Sequence, residues 1–169
     1  QFTHTASPQA WFASINALFG VLKRFKADYR VIPWATFTDP EVAQVGPTLE
    51  ELRRLYPAES IKTEIIQLKD TDRGYTAGLE HGFVMIHARA LTGKVLAATV
   101  VAPSAGEMLS LLTMAIYQGV SMYKLADLVF PYPVLSDAIK KAANDYVFST
   151  LTGLHKELFR YLRYRLRRR

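Results

Sequence analysis

Apolar positions recur along this chain with two periods, and the two periods separate its helices from its strands. Ser7-Pro8 offers a helix start, with a serine able to accept from unpaired N–H groups and a proline preset for the first turn. Trp11, Ile15, Leu18, Leu22 and Phe25 then share one face at helical spacing, with Lys23, Arg24 and Lys26 at the closing end, so the pattern predicts a helix from about Pro8 to Lys26. Val31 to Phe37 is a short β-prone aromatic run broken by Pro33, and Thr38-Asp39-Pro40 reads as a turn. Thr48 to Tyr56 predicts a short helix, with Glu50 and Glu51 at its positive end and Arg53 and Arg54 near the other.

The middle of the chain changes period. Ile61–Lys69 is rich in β-branched residues, and Gly82–Ala90 alternates Phe83, Met85, His87 and Arg89 against Val84, Ile86 and Ala88. Val95–Ala102 is almost continuously apolar, as a strand buried on both faces would be. Leu91-Thr92-Gly93-Lys94 joins the last two as a hairpin. Ser104-Ala105-Gly106-Glu107 has the spacing of a capping box, followed by Leu109, Leu112, Ala115 and Ile116 on one face up to Gly119. A helical turn is expected around Tyr123–Asp127. Phe130-Pro131-Tyr132-Pro133 must then be extended, because alternating prolines forbid helix. Helix resumes near Leu135, and Leu151, Leu154, Leu158, Leu162 and Leu166 form a closing apolar stripe. The expected fold class is α+β, an antiparallel sheet flanked by helices.

Charge alters this picture only at one end. The 169 residues hold 21 Lys and Arg against 15 Asp and Glu, for a net charge of +6. Lys156–Arg169 carries seven of the basic residues and one of the acidic ones, so everything before it is neutral. A basic pI near 9.6 therefore describes a tail and not a nucleic-acid-binding body. No apolar run reaches the length of a membrane span, and no signal-peptide pattern opens the chain. A start at Gln1 without Met is expected of a fragment or a processed product.

Candidate chemistry is mostly missing. With no cysteine, there is no thiol nucleophile, redox dithiol or Cys-ligated metal site. No glycine-rich phosphate loop, nucleotide-binding Gly-x-Gly-x-x-Gly or Gly-x-Ser-x-Gly is present. His4, His81, His87 and His155 are not paired at metal-ligand spacing, so no metal site is expected. A self-sufficient enzyme does not fit this inventory.

Four segments, in order, resemble one family. These are Gln1–Ala6, the run Val31-Ile32-Pro33-Trp34-Ala35-Thr36-Phe37-Thr38-Asp39-Pro40-Glu41-Val42-Ala43-Gln44-Val45-Gly46, the hairpin Ala90–Thr99 with Pro103-Ser104-Ala105-Gly106-Glu107-Met108, and Leu125-Ala126-Asp127 with Pro131-Tyr132-Pro133-Val134-Leu135-Ser136-Asp137-Ala138. Together they look like the C-terminal interface domain of the pyridine nucleotide-disulfide oxidoreductases, which include dihydrolipoamide dehydrogenase, glutathione reductase and mercuric reductase. The resemblance runs from Gln1 to about Asn144. It implies residues 1–28 as a helix from the end of the FAD domain, 29–147 as the dimerisation domain, and 148–169 as a basic amphipathic helix outside the family pattern.

The resemblance also implies a homodimer in which each subunit's last segment completes its partner's active site beside the flavin. FAD and NAD(P) would serve the full-length enzyme, carrying hydride from NAD(P)H to FAD and on to a dithiol and then to substrate. This chain alone would retain neither cofactor and would be inactive, and the enzyme is expected in the cytoplasm. Disulfide reductases of the family carry His-Pro with a Glu five residues after the His, whereas this chain has Tyr132-Pro133 and Asp137. A free His titrates near ~6.5 and a free Tyr near ~10, so Tyr132 is a poor base at neutral pH but a good hydrogen-bond donor. A tyrosine here resembles the mercuric reductase branch and a non-disulfide electron acceptor. Tyr132 is thus the expected catalytic residue and Asp137 its orienting carboxylate, the alternative being that Tyr132 packs at the dimer seam. Thr3 and His4 are the expected flavin neighbours, the alternative being a chain end with no such role.

The basic tail has three readings: packing on the body or across the dimer, a peripheral contact with an anionic membrane surface, or, least of all, nucleic acid. A second reading of the whole chain is a non-catalytic homodimeric interaction module that uses the tail to hold a membrane or a partner.

Overall fold

The computed structural model describes the backbone of residues 2–166 and the side chains as far as residue 153. The chain divides into two compact units, residues 1–32 and 33–169. The first is built on helix α1, Thr3–Phe19. This helix starts earlier and stops earlier than its pattern predicts. The N–H groups of Thr5 and Ala6 already bond to the Phe2 carbonyl, both at 3.1 Å, so the first turn is closed before Ser7 and Pro8 lies inside the helix. At the other end Asn16 captures the backbone of Phe25, accepting from its N–H and donating to its carbonyl, each at 2.8 Å. That clasp folds Gly20 to Phe25 back instead of letting the helix run on to Lys26.

The second unit is a five-stranded antiparallel sheet with order β1-β2-β5-β4-β3, formed by β1 (Trp34–Thr36), β2 (Glu41–Val45), β3 (Ile61–Gln67), β4 (Phe83–Arg89) and β5 (Val95–Ala102). The three strands expected from sequence are present and pair antiparallel, with β5 at the centre. β1 falls inside the β-prone run Val31 to Phe37, and β2, which the periodicity did not separate from loop, pairs with it to extend the sheet on the other side of β5. Register lines up Ala43, Val45, Ile66, Val84, Ile86, Ala98 and Val100 on one face, and all are buried. Gly93 closes the β4–β5 hairpin at φ 70°, and a Cβ there would press on the Tyr123 ring at 3.0 Å.

Helices cover the sheet in two halves. The short α2 (Leu49–Leu55) precedes β3 and has the full capping box between Thr48 and Glu51. A five-residue turn of helix, α3 (Asp72–Thr76), links β3 to β4. Helix α4 (Ala105–Tyr117) lies on β5 and β2, while α6 (Asp137–Leu166) lies on β3 and β4, with α5 (Met122–Asp127) against α6. Leu109, Leu112, Met122, Leu125 and Ile139 are fully buried between these layers, each contributing roughly 1.5–3 kcal/mol of apolar transfer. Helix α6 is continuous across residues 147 and 148, the boundary expected between domain and tail. The tail's leucine stripe beyond Leu151 and its arginines lie outside the described side chains.

The predicted capping box of α4 does not form. Ser104 adopts the left-handed conformation (φ 56°, ψ 39°) and its side chain makes no capping bond. Glu41, arriving from β2, supplies the acceptor instead: its Oε2 takes the Gly106 N–H at 3.1 Å. A carboxylate from a neighbouring strand replaces the local hydroxyl, because a residue must be extended to cap through its own side chain.

Candidate functional site

The segment between α5 and α6 is an arm held at both ends. Lys140 in α6 donates to the Leu128 carbonyl at 2.6 Å, fixing the start. At the other end Ala138 and Ile139, both fully buried, lock the first turn of α6 into the core. Between these anchors the prolines keep the chain extended, and Val129 and Tyr132 stand out from the surface, Tyr132 being 73% exposed.

Tyr132 does not hang free. Its hydroxyl donates to Asp72 Oδ2 at 2.8 Å, across 60 residues of sequence. Asp72 is the first residue of α3, and the turn beneath it is tied by two hydrogen bonds. Thr71 Oγ1 donates to the Leu68 carbonyl at 2.7 Å and accepts from the Gly74 N–H at 3.1 Å. Gly74 sits so close to Leu68 that a Cβ would fall 1.8 Å from its carbonyl oxygen, so this turn can be built only with glycine. The hydrogen bond and charge of Asp72 push the Tyr132 phenol above its usual range, with a small addition from the charge of Asp137. At neutral pH Tyr132 is therefore a protonated phenol. Asp137, expected as the orienting carboxylate, lies in the first turn of α6 and makes no hydrogen bond to Tyr132.

Thr3 and His4 lie in the other unit, in the first turn of α1. That turn contains no acidic side chain, and the His4 ring stacks on Phe2 at 5.0 Å. The structure brings Tyr132 together with Asp72, sets Asp137 nearby through charge, and keeps Thr3 and His4 in a separate unit. Among the described residues no three His, Asp or Glu side chains gather as a metal-ligand set. His87, one of the scattered histidines, is buried in β4, with Nδ1 2.7 Å from Thr63 Oγ1; burial, helped by the charge of Arg53, holds its pKa below the ordinary histidine value.

Sequence reading missed Asp72. Thr71-Asp72 does have the form of a helix start, a capping hydroxyl followed by an acid in the first turn, and that was the available signal. Nothing in the sequence joined it to Tyr132.

Set beside known proteins, residues 32–143 match the pyridine nucleotide-disulphide oxidoreductase dimerisation domain. The chain belongs to that family. It is 32% identical over 145 residues to mercuric reductase of Streptomyces lividans, covering 86% of this chain and 30% of that one. It is 34% identical over 120 residues to dihydrolipoyl dehydrogenase 3 of Haloarcula marismortui, covering 70% of this chain and 24% of that one. Among solved structures LpdA from Mycobacterium tuberculosis superposes with a TM-score of 0.67 at 29% identity, over 76% of this chain and 28% of that one. The chain thus spans a quarter to a third of the length of these relatives, which are oxidoreductases. Among the described residues no helix is long and apolar enough to cross a membrane.

Proposed function

We propose that this chain is the interface domain of an FAD- and NAD(P)-dependent oxidoreductase and that it works as a homodimer, each arm presenting Tyr132 to the partner subunit's active site. One observation carries the reading: the arm is anchored at both ends, yet its aromatic tip, 73% exposed, faces away from its own core. A protonated phenol suits a donor that hydrogen-bonds to a reacting group better than a base that removes a proton from a thiol. The similarity to mercuric reductases favours a metal ion or another non-disulfide acceptor as the substrate class.

The residues of α1 suit one edge of a flavin. A 17-residue helix whose first turn lacks acidic groups offers its positive end to a negative charge, and Thr3 and His4 stand at that end. FAD, when bound, supplies the hydride-accepting chemistry. Thr3 and His4 would orient its edge, and Tyr132 would hold or deliver a proton at its hydroxyl oxygen. NAD(P) would be held by a domain other than this one, and the isolated chain would be inactive. We place the enzyme in the cytoplasm.

Two measurements test this. Sedimentation velocity should find the chain dimeric. In the flavoenzyme that carries this domain, Tyr132→Phe should slow reoxidation of the reduced flavin by substrate while reduction by NAD(P)H stays near wild type. The opposite pattern, or a Tyr132 that lies in its own core in the dimer, would sink the assignment.

A further inference from the structure

We propose that Asp72 is the positioning residue of the arm: its carboxylate, carried at the start of α3, accepts the hydrogen bond of the Tyr132 hydroxyl and so sets the direction in which the ring is presented. The proposal rests on the reading that Tyr132 serves a partner's active site, and it names a residue outside the arm as the one that aims it.

Three observations support it. First, the bond is well formed, 2.8 Å from Tyr132 Oη to Asp72 Oδ2, and a charged acceptor makes it stronger than a neutral one would. Second, the backbone that carries the acceptor is held in place. Thr71 caps the turn from both sides, and Gly74 packs against the Leu68 carbonyl so closely that no other residue fits. An exposed tyrosine on an extended loop would otherwise sample several rotamers. A fixed partner selects one of them. Third, the other carboxylate near the ring, Asp137, acts on Tyr132 by charge alone, so the direction of the ring is set by Asp72.

A consequence for chemistry follows. With its proton directed at Asp72, the phenol turns its oxygen lone pairs outward. While that bond lasts an approaching group meets the phenol oxygen as an acceptor, and Tyr132 becomes a donor to that group only when its hydroxyl turns away from Asp72. To receive the Tyr132 proton, a substrate must first compete with Asp72 for it.

The test uses the full chain labelled with ¹³C at tyrosine Cζ, whose shift reports phenol ionisation, with the Tyr132 resonance assigned by its loss in Tyr132→Phe. In the wild type this resonance should titrate above the usual ~10 for tyrosine. Asp72→Asn and Asp72→Ala should each return it close to ~10, while Asp137→Asn should leave most of the elevation in place. Asp72 is exposed, and both substitutions leave the Thr71 cap and Gly74 untouched. If both Asp72 variants keep the raised titration, or if Asp137→Asn alone abolishes it, Asp72 does not position the ring. Sedimentation of the same samples separates the two levels of the argument. A monomeric wild type in which the Tyr132 titration still follows Asp72 overturns the partner-facing reading and upholds the contact.

Discussion

Replacing Tyr146 by Phe removes one oxygen atom from a place that water does not reach. Tyr146, on α6, is fully buried, and its hydroxyl lies 2.8 Å from the Arg89 carbonyl and 2.9 Å from that of Ala90, at the head of the β4–β5 hairpin. Arg89 keeps a second donor in the Gly93 N–H, but the Ala90 carbonyl is given no other donor by this turn. The expected loss is about 1 kcal/mol for the hydrogen bond, rising toward about 3 kcal/mol to the extent that the abandoned carbonyl stays dry. Tyr146→Ala also deletes the ring, which meets Tyr123 edge-on at 5.6 Å and carries the Lys62 ammonium 4.3 Å from its centroid. Truncating a buried aromatic costs about 3–5 kcal/mol, or roughly 6–20 °C in Tm at about 2–4 °C per kcal/mol for a chain of this size. Urea denaturation followed by far-UV circular dichroism measures each value. A cycle with Lys62→Met, which keeps the aliphatic stem, isolates the cation–ring term, expected at about 0.5–2 kcal/mol. If Tyr146→Phe is neutral and Tyr146→Ala costs no more than about 1 kcal/mol, α6 is not held on the sheet by this side chain.

Tyr146 also predicts alkaline sensitivity: burial, with a push from Tyr123, raises its pKa to about 12, so the unfolded chain releases that proton first. Stability should be intact below ~10 and fall by about 1.4 kcal/mol per pH unit up to about 12, a loss that Tyr146→Phe removes. His87 has the reverse sign, because its folded pKa is depressed. Stability should hold above ~6.5 and decline as pH falls below it, by at most about 1.4 kcal/mol per pH unit, and His87→Gln should flatten that limb in pH-dependent urea titrations. Glu41→Ala should cost about 0.5–2 kcal/mol through the lost cap of α4, whereas Ser104→Ala should fall within about 0.5 kcal/mol of wild type. Equal costs at the two positions would refute the cap assignment.

The central strands were legible because β4 alternates cleanly and β5 is apolar throughout, signals that depend only on which faces are buried. β1 was legible only as part of the β-prone run Val31 to Phe37, and β2 was not, since five residues are too few to establish a period. Ser104-x-x-Glu107 shows a different limit: the local pattern was right, but a left-handed backbone and a carboxylate from β2 overrode it. Asn16 likewise ends α1 through a contact nine residues away, which no propensity at Gly20 or Lys23 announces. In the candidate site, the extended arm and Tyr132 followed from two prolines. The carboxylate that holds Tyr132 did not, because Asp72 reaches it only after the sheet has folded.

The sheet order also sets a sequence of assembly. β3, β4 and β5 pair with their chain neighbours, but β2 must return across about 60 residues to lie beside β5. Short loops close first, so the β3–β5 meander forms before β2 docks. Because Glu41 travels with β2, the first turn of α4 is finished only when that late strand arrives. Pulse-labelled hydrogen exchange should find β4 and β5 amides protected ahead of those of β2 and of Gly106, and simultaneous protection would contradict this order.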